Sequence, residues 1–565
     1  MKRALVVAAI AACTSRAPTA KGIELADLDR AADPCTDFYQ FATGGYHAAH
    51  PIPDGQAHWG RRSAARALER DQLRDLLAGL ANRRDWPAGS PEQLLGDMYA
   101  SCIAGSAAPA FELGSDVQVA MRRLHAIGVA VPFGVVGAMD DREPANYIAE
   151  VVDATVAPAG QLGSDVIALE ARLGSAATTP ATATHVEFAQ LAELAPHVDW
   201  DAYFADAKLP RGALEIADPA YLQAVDRELA TTPAATWLAY LRAHATAVPA
   251  NCVDLTESLF DQLLARKYAE THLSPAARER VRVLVHALVA ELHGVVAAEP
   301  WLAPATKATS LAKVDGTEFE LGYRDRATSY AGLHIARDAL WANIAAARAF
   351  AVELDRRMIG QPTPRDLWQL AASSPDAYIE PALDQVVLPA GYLQPPVFDA
   401  TATDAVVYGA IGVGVAHDLT HAIDVSGSKL DAMGRPVDWW TDADRATFTE
   451  RSRCVAAQFA SYGLDGNRVL SETVGDLAGL RVAFAALERA PQGPVVDGFT
   501  PEQQFFIAWA QFRGEAERPE EQRRMTASDP HPIARLRIDG ALENTPEFQR
   551  AFACKAPAKP RCAVW

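Results

Sequence analysis

Two histidines in the last third of the chain have the spacing of a metal-binding pair. His417 and His421 stand four residues apart in a predicted helix, AVVYGAIGVGVAHDLTHAID, so both imidazoles lie on one face of that helix. Neutral imidazoles suit Zn²⁺, which binds their nitrogens at about 2.0–2.1 Å. Histidines at this spacing also occur as ordinary packing or surface residues, so the pair alone does not establish a metal site.

A pair of carboxylates downstream could supply a third metal ligand and a hydrogen-bond partner for an imidazole. A catalytic zinc takes three protein ligands, and Glu472 is the third candidate. Asp476, four residues later, can accept a hydrogen bond from a ligand imidazole and fix its tautomer, and Asp424 can do the same for His421. The alternative interpretation is a solvated acidic helix face. The apolar neighbours favour a buried helix instead; they are Val469, Leu470, Val474, Leu477 and Leu480.

The elements that must position these residues are mainly helical. Between residues 60 and 370, stretches such as RDQLRDLLAGLANRR and RERVRVLVHALVAELHGVVAAE carry apolar residues at i, i+3, i+4 and i+7. The segment Asp384–Pro396, DQVVLPAGYLQPP, differs because β-branched residues precede Pro-Ala-Gly and a proline pair, which predicts a strand followed by a rigid loop. The predicted fold class is therefore mainly α, with a small sheet just before the metal-binding residues.

Length and charge exclude several classes of protein. The chain has 565 residues, half of them hydrophobic, so it can form a large core in two or three domains and is not a disordered protein. Lysine and arginine number 52 against 71 acidic residues, a formal charge of −19. A nucleic-acid-binding protein is expected to be basic. We therefore expect no nucleic-acid partner.

The first residues, MKRALVVAAIAACTS, have the layout of an export signal. A basic pair precedes a short apolar run that is too short to span a bilayer, and Cys13 follows small residues as in a bacterial lipobox. The alternative is an ordinary secretory signal with a chance cysteine. We expect a protein anchored by a lipid on Cys13 to the cell envelope, on the periplasmic or the outer side. We also expect no later stretch long and apolar enough to cross a membrane.

The cysteine count fits an exported protein. Without Cys13, six of the seven cysteines remain, and an even number in an exported chain predicts three disulfides. Fifteen pairings are possible from the count alone.

Six motifs follow one another from residue 33 to residue 565. They are DPCTDFYQFATGGY, LPAGYLQPP, the segment HDLTH, the segment LSETVGD, the segment SDPH through Arg537-Ile538, and CAVW. In this order they resemble the neprilysin-like family of zinc metallopeptidases, which pairs an HExxH helix with a downstream ExxxD helix. Six ordered motifs are far more specific than any single one.

The resemblance implies a metal centre and its supporting carboxylates. One zinc ion per chain is the implied cofactor, with His417, His421 and Glu472 as its ligands. Asp424 and Asp476 are the implied partners of the two imidazoles.

The resemblance also implies catalytic and substrate-binding roles. His531 corresponds to the donor that stabilises the oxyanion of the tetrahedral intermediate, and Arg537 to a contact with the substrate backbone. Asp418 stands at the position of the general base, where the family has Glu, and its side chain is one methylene shorter. Asp376, followed by Ala377, stands where the family has a substrate-binding Asn. An ionised carboxylate cannot donate the hydrogen bond that an amide donates, so we expect Asp376 to favour a basic substrate.

The resemblance implies two mostly helical lobes around a central chamber. The expected segments are a signal peptide (1–12), a tether (13–30), a strip packed on the catalytic lobe (31–60), a helical covering lobe (61–369) and a thermolysin-like catalytic lobe (370–565). The chain is shorter than typical members, so the covering lobe is expected to be trimmed.

The family pattern selects one disulfide scheme, which pairs Cys35 with Cys554, Cys102 with Cys252, and Cys454 with Cys562. A further family bridge would fall at Thr43 and near Arg513, where neither cysteine is present.

The expected function is an extracytoplasmic zinc metalloendopeptidase that hydrolyses short peptides, acting as a monomer. Its activity is open to question because of Asp418 and Asp376. The first alternative is a catalytically silent zinc-binding homologue that binds peptides or a partner protein. The second is a zinc enzyme of altered chemistry on the same scaffold.

Overall fold

The fold is known from a computed structural model. It describes residues 21–109, 112–153, 162–178, 180, 182–324, 326, 328–555 and 561–565. The expected signal peptide and Cys13 lie outside the described residues. Helices dominate the described chain, with short strands between them, which confirms the expected fold class.

The α-helices, numbered in chain order, are α1 Phe38–Ala49, α2 Arg61–Asn82, α3 Pro91–Ala104, α4 Val117–Ala126, α5 Ser164–Ala176, α6 Phe188–Leu194, α7 Trp200–Ala207, α8 Pro219–Thr231, α9 Ala234–Ala245, α10 Cys252–His272, α11 Pro275–Ala298, α12 Pro304–Gly316, α13 Leu340–Met358, α14 Asp404–Val407, α15 Val413–His421, α16 Asp442–Ser461, α17 Leu470–Arg489, α18 Pro501–Arg513, α19 Pro519–Ser528, α20 Ala534–Leu542 and α21 Pro546–Ala551. A π-helical turn, Tyr408–Gly412, joins α14 to α15.

The strands are β1 His58–Gly60, β2 Phe133–Met139, β3 Tyr147–Asp153, β4 Thr184–Glu187, β5 Ala213–Ile216, β6 Glu318–Gly322, β7 Tyr378–Glu380, β8 Gln385–Pro389 and β9 Glu515–Glu517. They form a two-stranded sheet (β1-β9), a four-stranded sheet (β2-β3-β5-β4) and a three-stranded sheet (β6-β8-β7).

The three-stranded sheet contains the strand predicted before the metal-binding helix. Its central strand, β8, lies within Asp384–Pro396, is buried along its whole length, and pairs parallel to β6 and antiparallel to β7. A strand buried on both faces reads as a continuous apolar run, which is why the sequence VVLP predicts it. Its end leads into the loop that contains Tyr392 and borders α15.

The four-stranded sheet was not predicted, because its region was interpreted as helical. In β3 the burial alternates, with Tyr147, Ala149 and Val151 buried and the residues between them partly exposed. This period-2 pattern marks a half-buried strand. It extends over only a few residues between long helices, so the helical periodicity on either side conceals it.

Buried apolar side chains form two cores. The larger core combines residues 23–99, 253–347 and 386–565, and the smaller core combines residues 113–245 with Ile359. The lobe boundaries expected at residues 61 and 369 do not coincide with this division. Helices α2, α3 and α10–α12 pack in the larger core together with α15 and α17.

One described helix, α11, is long and apolar enough to cross a membrane by length and composition. This corrects the expectation that no stretch after the N-terminus meets that criterion. Val281, Leu284, Leu288 and Val296 of α11 are all buried in the larger core. These four apolar residues of α11 therefore have partners within the protein, as in a core helix.

Three disulfides connect the chain as the family pattern implied: Cys35–Cys554, Cys102–Cys252 and Cys454–Cys562. The first ties the start of the described chain to its end, and α1 packs against α18 and α20. The structure also brings together the two positions where the family has a fourth bridge and this chain has no cysteine. A Cβ added at Gly514, next to Arg513, would lie 2.4 Å from the methyl group of Thr43.

Candidate active site

Two imidazoles and one carboxylate face a common point between α15 and α17. Nε2 of His417 lies 3.0 Å from Nε2 of His421 and 3.2 Å from Oε2 of Glu472. Nε2 of His421 lies 3.6 Å from Oε1 of Glu472. Ligand atoms bound to tetrahedral zinc at about 2.0–2.1 Å lie about 3.3–3.4 Å from one another. Both the donor types and their spacing therefore fit zinc.

The two helices approach closely because α17 has glycine where it meets α15. A Cβ at Gly475 would lie 2.8 Å from Cε1 of His417, and a Cβ at Gly479 would lie 2.7 Å from the carbonyl oxygen of Val413. Contacts under 3.0 Å essentially never occur for real Cβ atoms. The two glycines let α17 lie directly against the ring of His417, with Glu472 one turn before Gly475.

Each of the two imidazoles is held from behind by a carboxylate. Nδ1 of His417 lies 3.0 Å from Oδ1 of Asp476, and Nδ1 of His421 lies 2.9 Å from Oδ2 of Asp424. Asp424 is itself fixed, because its Oδ1 accepts hydrogen bonds from the backbone N–H of Ser426 and Gly427. When Nδ1 carries the proton, Nε2 keeps its lone pair for a metal.

Arg537 forms a buried ion pair with Asp476, one of these two carboxylates. Its Nε donates to Oδ2 of Asp476, and its Nη2 lies 2.9 Å from Oδ1 of Asp476 and 3.4 Å from Oε2 of Glu472. Arg537 is 7% exposed. Arg537, which is expected from the sequence to contact substrate, thus also holds two carboxylates of α17 in place. Its side chain lines the cavity described below as well.

His531 reaches the site from the loop between α19 and α20. Its Nε2 lies 3.0 Å from Oε2 of Glu472, and its Nδ1 lies 3.0 Å from Oδ1 of Asp529. Asp529 orients the ring, so that Nε2 points toward the metal-binding point. The side chain of His531 is 45% exposed, which leaves it open to a substrate.

These contacts determine which groups carry charge. Burial would raise the pKa of Glu472, but hydrogen bonds from His417 and His531 outweigh it and hold that pKa well below its usual range. For Asp476, burial is likewise outweighed by the charge of Arg537 and by His417, so its pKa is also depressed. Burial raises the pKa of Asp418, although the neighbouring imidazoles oppose the shift. Glu472, which faces the point where a cation would bind, and Asp476, which lies behind His417, therefore both stay ionised.

A cavity of about 350 Å³ brings the predicted residues together. The predicted site residues that line it are Asp376, Ala377, His417, Asp418, His421, Glu472, His531 and Arg537. Asp424 and Asp476 lie behind its wall and reach the site through the imidazoles. A larger cavity, about 730 Å³, lies beside two of the disulfides and has none of these residues in its lining.

Two family models, both described as peptidase family M13, match this sequence. One matches residues 376–562 and the other residues 34–157 and 247–324, so together they match more than half of the chain. The chain belongs to peptidase family M13. The metallopeptidases of this family are zinc-dependent, in agreement with the donor set of the site. The resemblance to neprilysin-like peptidases is thereby confirmed.

Individual M13 relatives support the same fold. Endothelin-converting enzyme-like 1 of Rattus norvegicus is 24% identical over 664 residues, covering 96% of this chain and 85% of that protein. Neprilysin-3 of Drosophila melanogaster is 29% identical over 315 residues, covering 52% of this chain and 39% of that protein. The zinc metalloprotease Zmp1 of Mycobacterium tuberculosis superposes with a TM-score of 0.80 at 24% identity, covering 97% of this chain and all of that chain.

Asp418 in this M13 chain lies on the cavity wall among charged groups. It follows His417 on α15, and its electrostatic neighbours include Arg513. Burial, together with the charge of Asp418, raises the pKa of Tyr392. A Cβ at Gly414, one turn before Asp418, would lie 2.8 Å from the hydroxyl of Tyr392. The carboxylate of Asp418 therefore has a tyrosine and an arginine nearby.

Asp376 is not a free carboxylate. Its Oδ1 lies 3.4 Å from Nη2 of Arg62, and its Oδ2 accepts from Nη2 of Arg66. Both arginines stand at the start of α2. Two cations beside one carboxylate leave this wall positive, which argues against the expected preference for a basic substrate.

Arg62 and Arg513 line the cavity but were not predicted as site residues. Arg513 lies 3.9 Å from Oδ1 of Asp476, and burial lowers its pKa to about 10, with the charge of Arg537 adding to the shift. No local motif identifies either residue, because each lies in an ordinary helical pattern. The one available signal was that Arg513 stands near the position of an absent family cysteine.

Proposed function

We propose that this M13 chain is an extracytoplasmic zinc metalloendopeptidase that hydrolyses short peptides. The observation that carries the proposal is the convergence of His417, His421 and Glu472 on one point, in a cavity that also contains Asp418 and His531. Ligands, a base and a hydrogen-bond donor are the groups that peptide hydrolysis requires.

His417, His421 and Glu472 would hold one zinc ion per chain. Bound there, zinc polarises the scissile carbonyl and lowers the pKa of a water molecule. Asp424 and Asp476 keep the protons of the two imidazoles on Nδ1, so that both Nε2 atoms remain donors to the metal. Arg537 balances the charge of Asp476 and holds α20 against α17.

Asp418 would act as general base. It takes a proton from the attacking water and passes it to the leaving amine as the peptide bond breaks. The carboxylate is about one bond length short of the reach of a glutamate, and a misplacement of about 1 Å can lower a rate about 100-fold. We therefore expect a slow peptidase.

His531 would donate a hydrogen bond to the oxyanion that forms when water attacks the carbonyl. Asp529 holds the ring so that Nε2 carries out this task from a partly exposed position. Arg537 and the backbone beside Asp376 and Ala377 would contact the peptide chain along the cavity wall.

The proposed substrate class rests on the size of the cavity. A cavity of about 350 Å³ admits a few residues of an extended peptide and excludes a folded protein surface. We propose a monomer with oligopeptide substrates and a catalytic lobe around residues 370–565. The export signal and the lipid anchor on Cys13 are proposed from the sequence MKRALVVAAIAAC, and they imply a location at the bacterial cell envelope.

A fluorogenic peptide library tests the proposal with zinc-loaded full-length protein. We expect slow cleavage by wild type, faster cleavage by Asp418→Glu, and none by Asp418→Asn or His417→Ala. Metal content separates the two inactive variants, because Asp418→Asn should retain zinc and His417→Ala should lose it. Cleavage by wild type that persists in His417→Ala would refute the assignment of the site.

The alternative function is a zinc-binding homologue without catalysis, which binds peptides or a partner protein. The observation that favours it is the shorter carboxylate at residue 418. Cleavage by Asp418→Glu alone, with wild type inactive and zinc bound, would establish this alternative. Absence of cleavage in every zinc-bound form would indicate altered chemistry on the same scaffold.

A further inference from the structure

A second group of potential metal ligands lies in the four-stranded sheet, far along the chain from the peptidase site. Asp140, His185 and Glu215 each offer one ligand atom, and these three atoms all lie within 4.8 Å of one another. Asp140 directly follows β2, His185 lies in β4, and Glu215 lies in β5. Nothing in the peptidase mechanism uses them.

The sheet register brings these residues to one face. His185 and Glu215 are directly paired across β4 and β5, and Glu150 of β3 is paired with Glu215 on its other side. The alternate residues, such as Val186, Leu214 and Ile216, point into the smaller core. Because side chains alternate along a strand, the row Glu150, Glu215 and His185 occupies the opposite face.

The loop after β2 folds over this row and is tightly fixed. The backbone N–H of Asp141 donates to Oε1 of Glu215, at 2.9 Å, and Oδ2 of Asp141 accepts from the backbone N–H of Ala183. Oδ1 of Asp140 accepts from the backbone N–H of Arg142 and Glu143. The carboxylate of Asp140 is therefore held beside Glu215 by backbone hydrogen bonds.

The imidazole between the two carboxylates lacks a hydrogen-bond partner. Nδ1 of His185 is fully buried and makes no hydrogen bond within the described chain. It lies 3.9 Å from Oδ1 of Asp140 and 3.9 Å from Oε1 of Glu215, too far for a hydrogen bond to either. A buried nitrogen without a partner is costly, and this one faces two oxygen acceptors across a gap that an ion can bridge.

The charge around this gap is negative and unbalanced. The side chain of Glu215 is only 2% exposed, and that of Asp140 is 10% exposed. In the part of the chain that the structure describes, no lysine or arginine forms an ion pair with Asp140, Asp141 or Glu215. A bound cation would remove this electrostatic cost.

We propose that Asp140, His185 and Glu215 bind a divalent transition-metal ion of the zinc type, which fastens the loop after β2 to β4 and β5. One imidazole and two carboxylates are donors that zinc accepts. Donor atoms of a tetrahedral zinc site lie about 3.3–3.4 Å apart, so each 3.9 Å distance from Nδ1 of His185 must shorten by about 0.5–0.6 Å when the ion binds. Water completes the coordination, and the ion has a structural role.

Zinc stoichiometry tests this site separately from the peptidase site. Full-length protein is loaded with zinc chloride, washed with a weak chelator, and measured by elemental analysis. We expect two ions per chain in wild type, one in His185→Ala, one in His417→Ala/His421→Ala, and none in the triple variant. One ion in wild type, or two in His185→Ala, would overturn the proposal, whatever the peptidase activity.

Two further variants guard against loss of folding. Glu215→Gln keeps the shape of the side chain and the hydrogen bond from Asp141, and it should lower the count to one while the circular dichroism spectrum stays unchanged. His293→Ala is the matched control, because His293 forms an exposed pair with Asp315 at 2.8 Å, and it should keep two ions. In His417→Ala/His421→Ala, zinc should raise the melting temperature, and adding Glu215→Gln should abolish that increase; retention of the increase contradicts the site.

Discussion

Replacing Gly475 with alanine tests whether the close packing of α17 against α15 determines where the ring of His417 lies. The added Cβ would lie 2.8 Å from Cε1, 2.9 Å from Nδ1 and 3.2 Å from Nε2 of His417. The ring cannot turn away freely, because Nδ1 is bonded to Asp476 and Nε2 faces Glu472. The clash must therefore move the ring of His417 and α17 apart.

The size of the effect follows from these distances. Ordinary contact begins near 3.4 Å, so the ring and the helix must separate by about 0.6 Å. Overpacking costs about 1–3 kcal/mol, while alanine in place of a helical glycine recovers about 1 kcal/mol. We expect the zinc-free protein to lose at most about 2 kcal/mol of its free energy of unfolding. We expect a larger effect on zinc affinity, which should fall about 10-fold, because a displacement of about 0.6 Å misplaces the nitrogen of His417 that would bind the ion.

Zinc affinity is measured by competition with a chromophoric chelator, and stability by urea unfolding of the zinc-free protein. Gly294→Ala is the control, because Gly294 lies in α11 and a Cβ there would meet nothing within 4 Å. This control should leave zinc affinity unchanged and add up to about 1 kcal/mol of stability. Unchanged affinity in Gly475→Ala would show that the helix contact does not set the ligand position.

Three further outcomes are expected. Asp476→Asn should weaken zinc binding by about 10–100-fold, measured with the same chelator, because it removes the partner of His417 and the charge paired with Arg537; equal affinity would contradict this role. Cys35→Ser/Cys554→Ser should lower the free energy of unfolding in urea by about 2–5 kcal/mol, and a loss below 1 kcal/mol would show that the bridge contributes little. His125 is buried, and burial lowers its pKa to about 4 from 6.5, with the charge of Arg356 adding. The unfolded chain then binds a proton that the folded chain does not, so stability should fall as pH drops from about 6.5 to 4, by up to about 3 kcal/mol. His125→Gln should flatten that part of the pH profile, and an unchanged slope would contradict the assignment.

The grouping of the candidate site residues could be predicted largely from sequence, because local spacing places them in pairs on two helices. The i and i+4 positions of His417 and His421, and of Glu472 and Asp476, each place two groups on one helix face. The pairing of these two helices required the family resemblance, since spacing within a helix says nothing about its neighbour. The ion pair of Arg537 with Asp476 was not predicted, because it depends on how α20 packs against α17.

The fold was predicted less completely than the site. The mainly helical class and the strand in DQVVLP follow from periodicity, but the four-stranded sheet does not, because its strands are short and one of its pairings, β3 with β5, joins segments far apart in sequence. The cores also combine distant segments, so no composition change marks their boundary. Arg62, Arg66 and Arg513 acquire their roles only from this tertiary arrangement.

The packing of α15 against α17 also limits how far the carboxylate of Asp418 can reach. To restore the reach that the missing methylene removes, α15 would have to move toward the substrate by about one bond length. Yet Asp418 follows one ligand directly, and α15 is pressed against Gly475 and Gly479 of α17. Moving its backbone would therefore displace His417 from Glu472 and Asp476. The deficit in reach must be met by an added water molecule or remain unmet, and Asp418→Glu changes this reach without moving the helix.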